Sequence, residues 1–163
     1  MLISIDHGNK QIKTIHHAPF TSGLVSSRTE PFNGETLQYQ GTYYALSNQR
    51  IPYRRDKTDD NRFFILTLFA IVYELQHAAL NHAGIIHIQL AVGLPPAHYG
   101  AQHAKFSAYF LNRGPIQFVF QGIEYNILID EVSCYPQSYA AAVTVFQTLQ
   151  NSPRALIVDI GGR

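Results

Sequence analysis

The chain has no tryptophan, a single cysteine and few charges, and each shortage closes off a class of function. Cys134 alone cannot form an internal disulfide, which fits a reducing compartment. Without a partner arranged for it in sequence, it reads as a small buried hydrophobe, not a nucleophile. With no tryptophan, stacking on single-stranded bases would fall to Tyr and Phe, with no basic groove to support it. The formal net charge is +1, so no global field favours nucleic acid or an anionic membrane. Charged residues make up 14% of the 163 positions, against roughly 25% in ordinary soluble domains. With 12% aromatic residues, so few charges imply that part of the surface is covered by something else. Long hydrophobic runs are also lacking. The longest, residues 63–73, is broken by Thr67 and followed by Glu74, Gln76 and His77, short of the roughly 18 apolar residues of a membrane helix. The opening Met-Leu-Ile-Ser-Ile-Asp has no basic segment before an apolar stretch, as a secretory signal would. These absences lead us to expect a soluble, cytoplasmic protein with no membrane partner and no direct contact with nucleic acid.

Eight histidines raise the question of a metal, and their spacing answers against zinc. His16 and His17 are adjacent and point to opposite faces of a strand. His77 and His82 are five apart on a helix, off the i, i+4 spacing that aligns two ligands.

What is present is a hydrophobic fraction of 46%, enough for one domain with its own core and too little chain for two full-sized ones. Residues 2–5 read as a buried strand entering a turn at His7-Gly8-Asn9, residues 11–17 as its hairpin partner, and residues 21–27 as a third strand. Residues 36–40 and 42–46 form a second hairpin about Gly41. Residues 47–60 mix both charge signs and read as a solvated loop. Residues 61–82 form a helix capped by Asp59 or Asp60, apolar around most of its girth and therefore sandwiched between layers, and stopped by Gly84. A strand at 85–92, a more polar helix at 99–111 and a hairpin at 116–120 and 123–130 follow, then a helix opened by Pro136 and running to Leu149. A buried strand at 155–158 ends the series. Hairpins first, then strands alternating with helices, imply an α/β domain with a mixed sheet.

Two segments share one design. Ile3-Ser4-Ile5-Asp6-His7-Gly8 and Ile157-Val158-Asp159-Ile160-Gly161-Gly162 each run from apolar strand to Asp to a Gly-containing turn. Glycine lets the backbone turn sharply and bring its N–H groups close to a phosphate. An aspartate at that place repels phosphate unless a cation or its waters lie between. Facing one another, the two turns would clamp a Mg²⁺-phosphate. The plainer reading makes each an ordinary turn after a strand, with Lys13 a solvent-facing strand residue.

At this point the chain resembles the actin-like ATPases of the ParM type, within the larger group of sugar kinases and seventy-kilodalton chaperones. The family's first loop, Asp-x-Gly-x-x-x-x-Lys, is matched without a gap by Asp6 to Lys13. Its second, apolar-apolar-Asp-x-Gly-Gly-Thr, is matched by residues 157–162 up to the final Thr. Gly41-Thr42-Tyr43-Tyr44, Gly93-Leu94-Pro95 and the helix start around Pro136-Gln137 are similar to further family segments. The resemblance implies a ribonuclease H-like, actin-like ATPase domain: a mixed five-stranded sheet with flanking helices and a small hairpin insertion at about residues 30–60. Residues 1–163 would be the first of two domains, with the second absent from the chain. It also implies ATP (or GTP) and Mg²⁺ as ligands. Asp6 and Asp159 would serve the metal, Gly8, Asn9, Lys13, Gly161 and Gly162 the phosphates, and Gln137 would orient the attacking water. The whole protein would be an ATPase that self-associates into filaments and moves plasmid or phage DNA through an adaptor protein. This segment alone would bind nucleotide weakly and turn over none. A sugar or acid kinase on the same fold is one alternative, although no substrate-binding Asp stands out as its base; a non-catalytic interaction module is the other.

Overall fold

The structure, a computed structural model, describes all residues other than 32, 80–83, 152, 153, 155 and 157–163, and describes residues 138–141 by their backbone alone. Along the chain run β1 (Leu2–His7), β2 (Gln11–Lys13), β3 (Phe20–Thr21), β4 (Leu24–Ser27), β5 (Thr36–Tyr39) and β6 (Thr42–Leu46). Then come α1 (Arg62–His77), β7 (Ile86–Leu94), α2 (Pro96–Leu111), β8 (Ile116–Phe120), β9 (Ile123–Pro136), α3 (Gln137–Thr144) and α4 (Phe146–Leu149). Of the expected buried strand at 155–158 only Leu156 is among the described residues, and it is in no strand and 89% exposed.

The strands form one mixed sheet in the order β3-β2-β1-β7-β9-β8-β5-β6-β4. It therefore has nine strands among the described residues, not five. The hairpin β5–β6 is not set apart from the sheet: Leu37 and Gln38 of β5 pair with Phe120 and Val119 of β8, and β4 adds to β6. The centre is parallel, with β1 on β7 and β7 on β9, and everything outside it is antiparallel. Period-two burial marks the central strands: Ile3, Ile5 and His7 on β1, and Ile88, Leu90, Val92 and Leu94 on β7 face the core, as alternating side chains of a pleated strand must.

Helix α1 is buried without interruption from Phe63 to Leu75, as its nearly all-apolar sequence requires. It is shorter than the 61–82 of the sequence reading. It ends at His77, where the Ala78 N–H bonds the Glu74 carbonyl and Ala79 turns to φ 48°. Asn61, not an aspartate, holds the N-cap position without a side-chain cap bond. Asp60 still serves the first turn: its Oδ1 accepts the Arg62 N–H at 2.9 Å and its Oδ2 accepts from the Arg62 guanidinium at 2.6 Å. Helix α2 buries only Phe106 and Phe110, an i, i+4 pair on one face, and packs on β7 and β9. The helix after Pro136 breaks at Val145 into α3 and α4. Among the described residues no helix is long and apolar enough to cross a membrane.

Strand β2 stops at Lys13, where the sequence suggests a run to His17. The difference has a clear cause in α1. Glu74, only 3% exposed, accepts the His16 backbone N–H at 2.9 Å and contacts His16 Nδ1 at 2.7 Å. The His16 ring stacks on His77 with centroids 4.1 Å apart, and His17 stacks on Tyr73 at 3.9 Å. These contacts pull residues 14–17 off the sheet and onto the helix. Replacing Glu74 with Ala leaves the His16 N–H and ring without their partner. We expect the urea midpoint to fall by an amount equivalent to about 2–3 kcal/mol, the scale of a lost buried charged acceptor, with the unfolding slope unchanged.

Candidate functional site

The three parallel strands end at one edge of the sheet, the place where open α/β sheets bind ligands. At that edge β1 ends in Asp6-His7, β7 in Gly93-Leu94, and β9 in Pro136, after which α3 begins with Gln137. Strand β9 continues well past the Asp130 of the sequence reading. It stays parallel to β7 as far as Gly93↔Tyr135 and Leu94↔Pro136, and this extension delivers Gln137 to Asp6. The Gln137 Nε2 donates to Asp6 Oδ1 at 2.7 Å, across 131 positions of sequence. An ionised carboxylate only accepts, so the Gln137 amide is oriented with its nitrogen toward Asp6 and Oε1 directed elsewhere.

Lys13 reaches the same carboxylate from the other side. Asp6 and Lys13 are direct partners across the β1–β2 hairpin, and Lys13 Nζ lies 3.5 Å from Asp6 Oδ2. Between them the turn at Gly8 is tight, since a Cβ there would stand 2.6 Å from the Gln11 carbonyl oxygen. Ser22 braces the turn from outside: its Oγ donates to the Gly8 carbonyl at 2.6 Å and its N–H to that of Lys10 at 3.0 Å. Asp6, Gly8, Asn9, Lys13 and Gln137 are thus gathered at one place. Asp159, Gly161 and Gly162 lie outside the described residues.

Three residues that sequence reasoning passed over complete the site. Gly93 sits under Gln137, where a Cβ would meet Gln137 Cγ at 2.8 Å; its Gly-Leu-Pro context carries no local signal of that role. Lys57 belongs to the 47–60 loop read as solvated, yet it is buried. Its Nζ donates to the His7 carbonyl oxygen, and it lines a cleft together with Asn9. Burial pulls its pKa down to about 8, against the opposing influence of Asp6. Nothing in the local sequence separates Lys57 from its charged neighbours. His7, the variable residue of Asp-x-Gly, is fully buried between the rings of Phe106 and Phe110. Thr67 donates its hydroxyl to the Phe63 carbonyl at 2.8 Å, so at 2.7 Å it accepts from His7 Nε2, which therefore carries the proton. Burial, helped by the Lys57 charge, lowers the His7 pKa to about 3.

The residues present fit a magnesium ion held largely through water. Asp6 is a single carboxylate with a 40% exposed side chain, and no cluster of three His, Cys, Asp or Glu exists among the described residues. Magnesium keeps several waters and takes one or two carboxylates plus phosphate oxygens, which such a site can provide.

A family model described as "Actin like proteins N terminal domain" matches residues 4–139. The chain belongs to that family. Solved structures agree on the fold. An archaeal actin homologue, Ta0583, superimposes with a TM-score of 0.70 at 17% identity, covering 90% of this chain and 49% of that one. The AlfA filament bound to AMPPNP gives 0.69 at 16% identity, covering 99% and 62%. The apo psk41 ParM protein gives 0.67 at 15% identity, covering 83% and 49%. The actin-like domain thus spans 49% of the ParM chain and 62% of the AlfA chain. No curated protein matches it in sequence.

The buried neutral His7 sets an acid limit on stability. Its folded pKa, about 3, lies below the unfolded value of 6.5, so the unfolded chain binds the extra proton between those values. Stability is therefore full above pH 6.5 and falls as the pH drops toward 3. The histidine contribution between pH 6.5 and 4.5 is about 2–3 kcal/mol, from two pH units at 1.36 kcal/mol each. Urea titrations at both pH values, compared with His7→Gln, measure it: the variant should lose that much less on acidification.

Proposed function

We propose that the actin-like domain is one wall of a nucleotide site that binds ATP or GTP with Mg²⁺ and hydrolyses it slowly. In the whole protein the nucleotide state would govern self-association into filaments. The observation that carries this reading is the Gln137–Asp6 hydrogen bond, which joins the first loop to the start of α3 at the carboxyl edge of the parallel strands. The relatives support it: one solved structure is an AlfA filament bound to AMPPNP, and Ta0583 has been solved in complex with ADP.

Each residue has a part in this reading. A bound magnesium ion would neutralise charge on the phosphate oxygens. Asp6 would hold that ion through its waters, and Lys13, beside Asp6, would offer a second positive group to the phosphates. The backbone N–H groups of Gly8 and Asn9 approach the phosphate chain. Gln137 is a positioning amide. With Nε2 committed to Asp6, Oε1 is left to accept a proton of the attacking water, which a neutral amide orients without acting as a strong base. By their sequence pattern, Asp159, Gly161 and Gly162 would supply the second loop of the clamp. We further place the protein in the cytoplasm, with an adaptor linking its filaments to plasmid or phage DNA.

In the gene product that carries this chain, adding Mg²⁺ and ATP should raise light scattering, and Asp6→Asn should abolish the rise. Gln137→Ala should lower phosphate release on the order of 10²-fold, the scale of a misplaced reactant, with nucleotide binding retained. Gly93→Ala, which pushes on Gln137 from below, should act in the same direction. Unchanged turnover in Gln137→Ala would remove Gln137 from the mechanism. For the 163-residue chain alone, calorimetry should show weak nucleotide binding; tight, saturable binding would contradict the one-wall reading.

A further inference from the structure

Beside the first loop lies a cleft of about 760 Å³ whose lining carries one sign of charge. Arg50, Arg54, Arg55 and Lys57 all contribute to it, with His98 and Asn9, and no carboxylate does. Asp6, Lys13 and Gln137 are not part of this lining. Lys57 is 8% exposed and donates to the His7 carbonyl, yet it makes no ion pair among the described residues. Asp6 influences it, but that carboxylate is already engaged by Gln137 and Lys13. Of the arginines, Arg54 reaches Asp60 only at 3.8 Å, while Arg50 and Arg55 are exposed and make no ion pair among the described residues.

A buried ammonium without an ion-pair partner is a costly arrangement, and three guanidinium groups line the same cleft. A bound oxyanion relieves that cost and gives the guanidinium groups an acceptor. Guanidinium forks suit tetrahedral oxyanions, which accept two parallel N–H bonds, and a lysine adds a point charge. The apolar walls formed by Ile51, Leu94 and Pro95 lower the local dielectric and strengthen the attraction.

We infer that this cleft is an oxyanion site that takes a phosphate group, with the Lys57 ammonium at its buried end and Arg50 and Arg55 at its exposed end. It shares Asn9 with the proposed nucleotide site but asks nothing of Asp6 or Gln137, so it stands whether or not the nucleotide reading does. The phosphate group could come from free inorganic phosphate or from the end of a nucleotide, and the chemistry of recognition is the same.

The test is calorimetric titration of this chain with inorganic phosphate at fixed ionic strength, without magnesium. We expect saturable one-site binding in the roughly millimolar range or tighter. Lys57→Met should weaken it at least about tenfold, as loss of a charge-assisted contact does, while Arg28→Gln, an exposed arginine outside the cleft, should leave it unchanged. Should Lys57→Met fail to fold by circular dichroism, the double variant Arg50→Gln/Arg55→Gln, altered only at exposed positions, carries the same expectation. Competition by magnesium-free ATP would identify the source as a nucleotide's terminal phosphate, and additive binding would identify it as free phosphate. Absence of phosphate binding, or equal weakening by Arg28→Gln and the cleft variants, overturns the site.

Discussion

One hydrogen bond, from the Gln137 amide to the Asp6 carboxylate, is the constraint on which the functional edge of this domain depends. Its partners are 131 residues apart, and it forms only because three parallel strands end together. Strand β9 has fourteen residues, and a register slip of one would turn every side chain on it to the other face. The irregularity between Ile88 and Gln89 shifts the β7–β9 pairing midway. Beyond it the register continues unbroken to Leu94↔Pro136, so Gln137 arrives at the edge as the first residue of a helix. Gly93 then has to be small, because the Gln137 side chain lies over it. Register, glycine and proline are three local choices that agree on one contact, as sequences that specify a unique structure do.

Beneath that contact the charges are arranged in depth. Asp6 and Lys13 stand at the surface, where water screens them. One residue further along, His7 is buried and neutral against Phe106 and Phe110. Lys57 bonds the carbonyl of that same residue, so the strand end is held by a cation on its backbone while its side chain carries no charge. A protonated His7 would stand beside Lys57 in an apolar setting, and the two positive charges would oppose one another. The neutral histidine is what permits the buried lysine, and the Thr67 hydroxyl fixes its tautomer.

The first loop was legible in the sequence because its parts are local. Seven positions separate Asp6 and Lys13, and that interval is the cross-strand register of a short hairpin about Gly8. The central strands and α1 were legible from apolar runs and period-two burial, and the turn at Gln121-Gly122 from its residue types, which take φ 51° and 76°. The site was less so wherever distant chain segments decide. Lys57 sits among Arg54, Arg55 and Asp56 with nothing local to mark it as buried. Residues 14–17 read as strand until Glu74, nearly sixty positions on, takes the His16 N–H. The far end of β9, residues 131–136, lacks a continuous apolar run, and parallel pairing with β7 overrides that weak propensity. The five-stranded sheet was what the family resemblance implied, and the sheet is larger because β5 pairs with β8 and carries β6 and β4 with it, a pairing that nothing within residues 36–46 announces.

Exposed apolar side chains recur in one stretch of the chain. Near Gln137 along the chain, Tyr135, Val143, Val145 and Phe146 are 45%, 53%, 49% and 61% exposed, a run of large apolar groups on the strand end and helices that follow the site. Single exposed hydrophobes are ordinary, but several close together in sequence mark a surface that gains by being covered. The proposed nucleotide site would have the same need: the Asp6 carboxylate and Lys13 ammonium interact weakly in water and far more strongly once water is excluded. If the rest of the protein closes over this edge, burial of the apolar groups supplies the driving force and the polar contact gains its strength from the same event. Closure and nucleotide binding would then be coupled through the exclusion of water, with no further device needed between them.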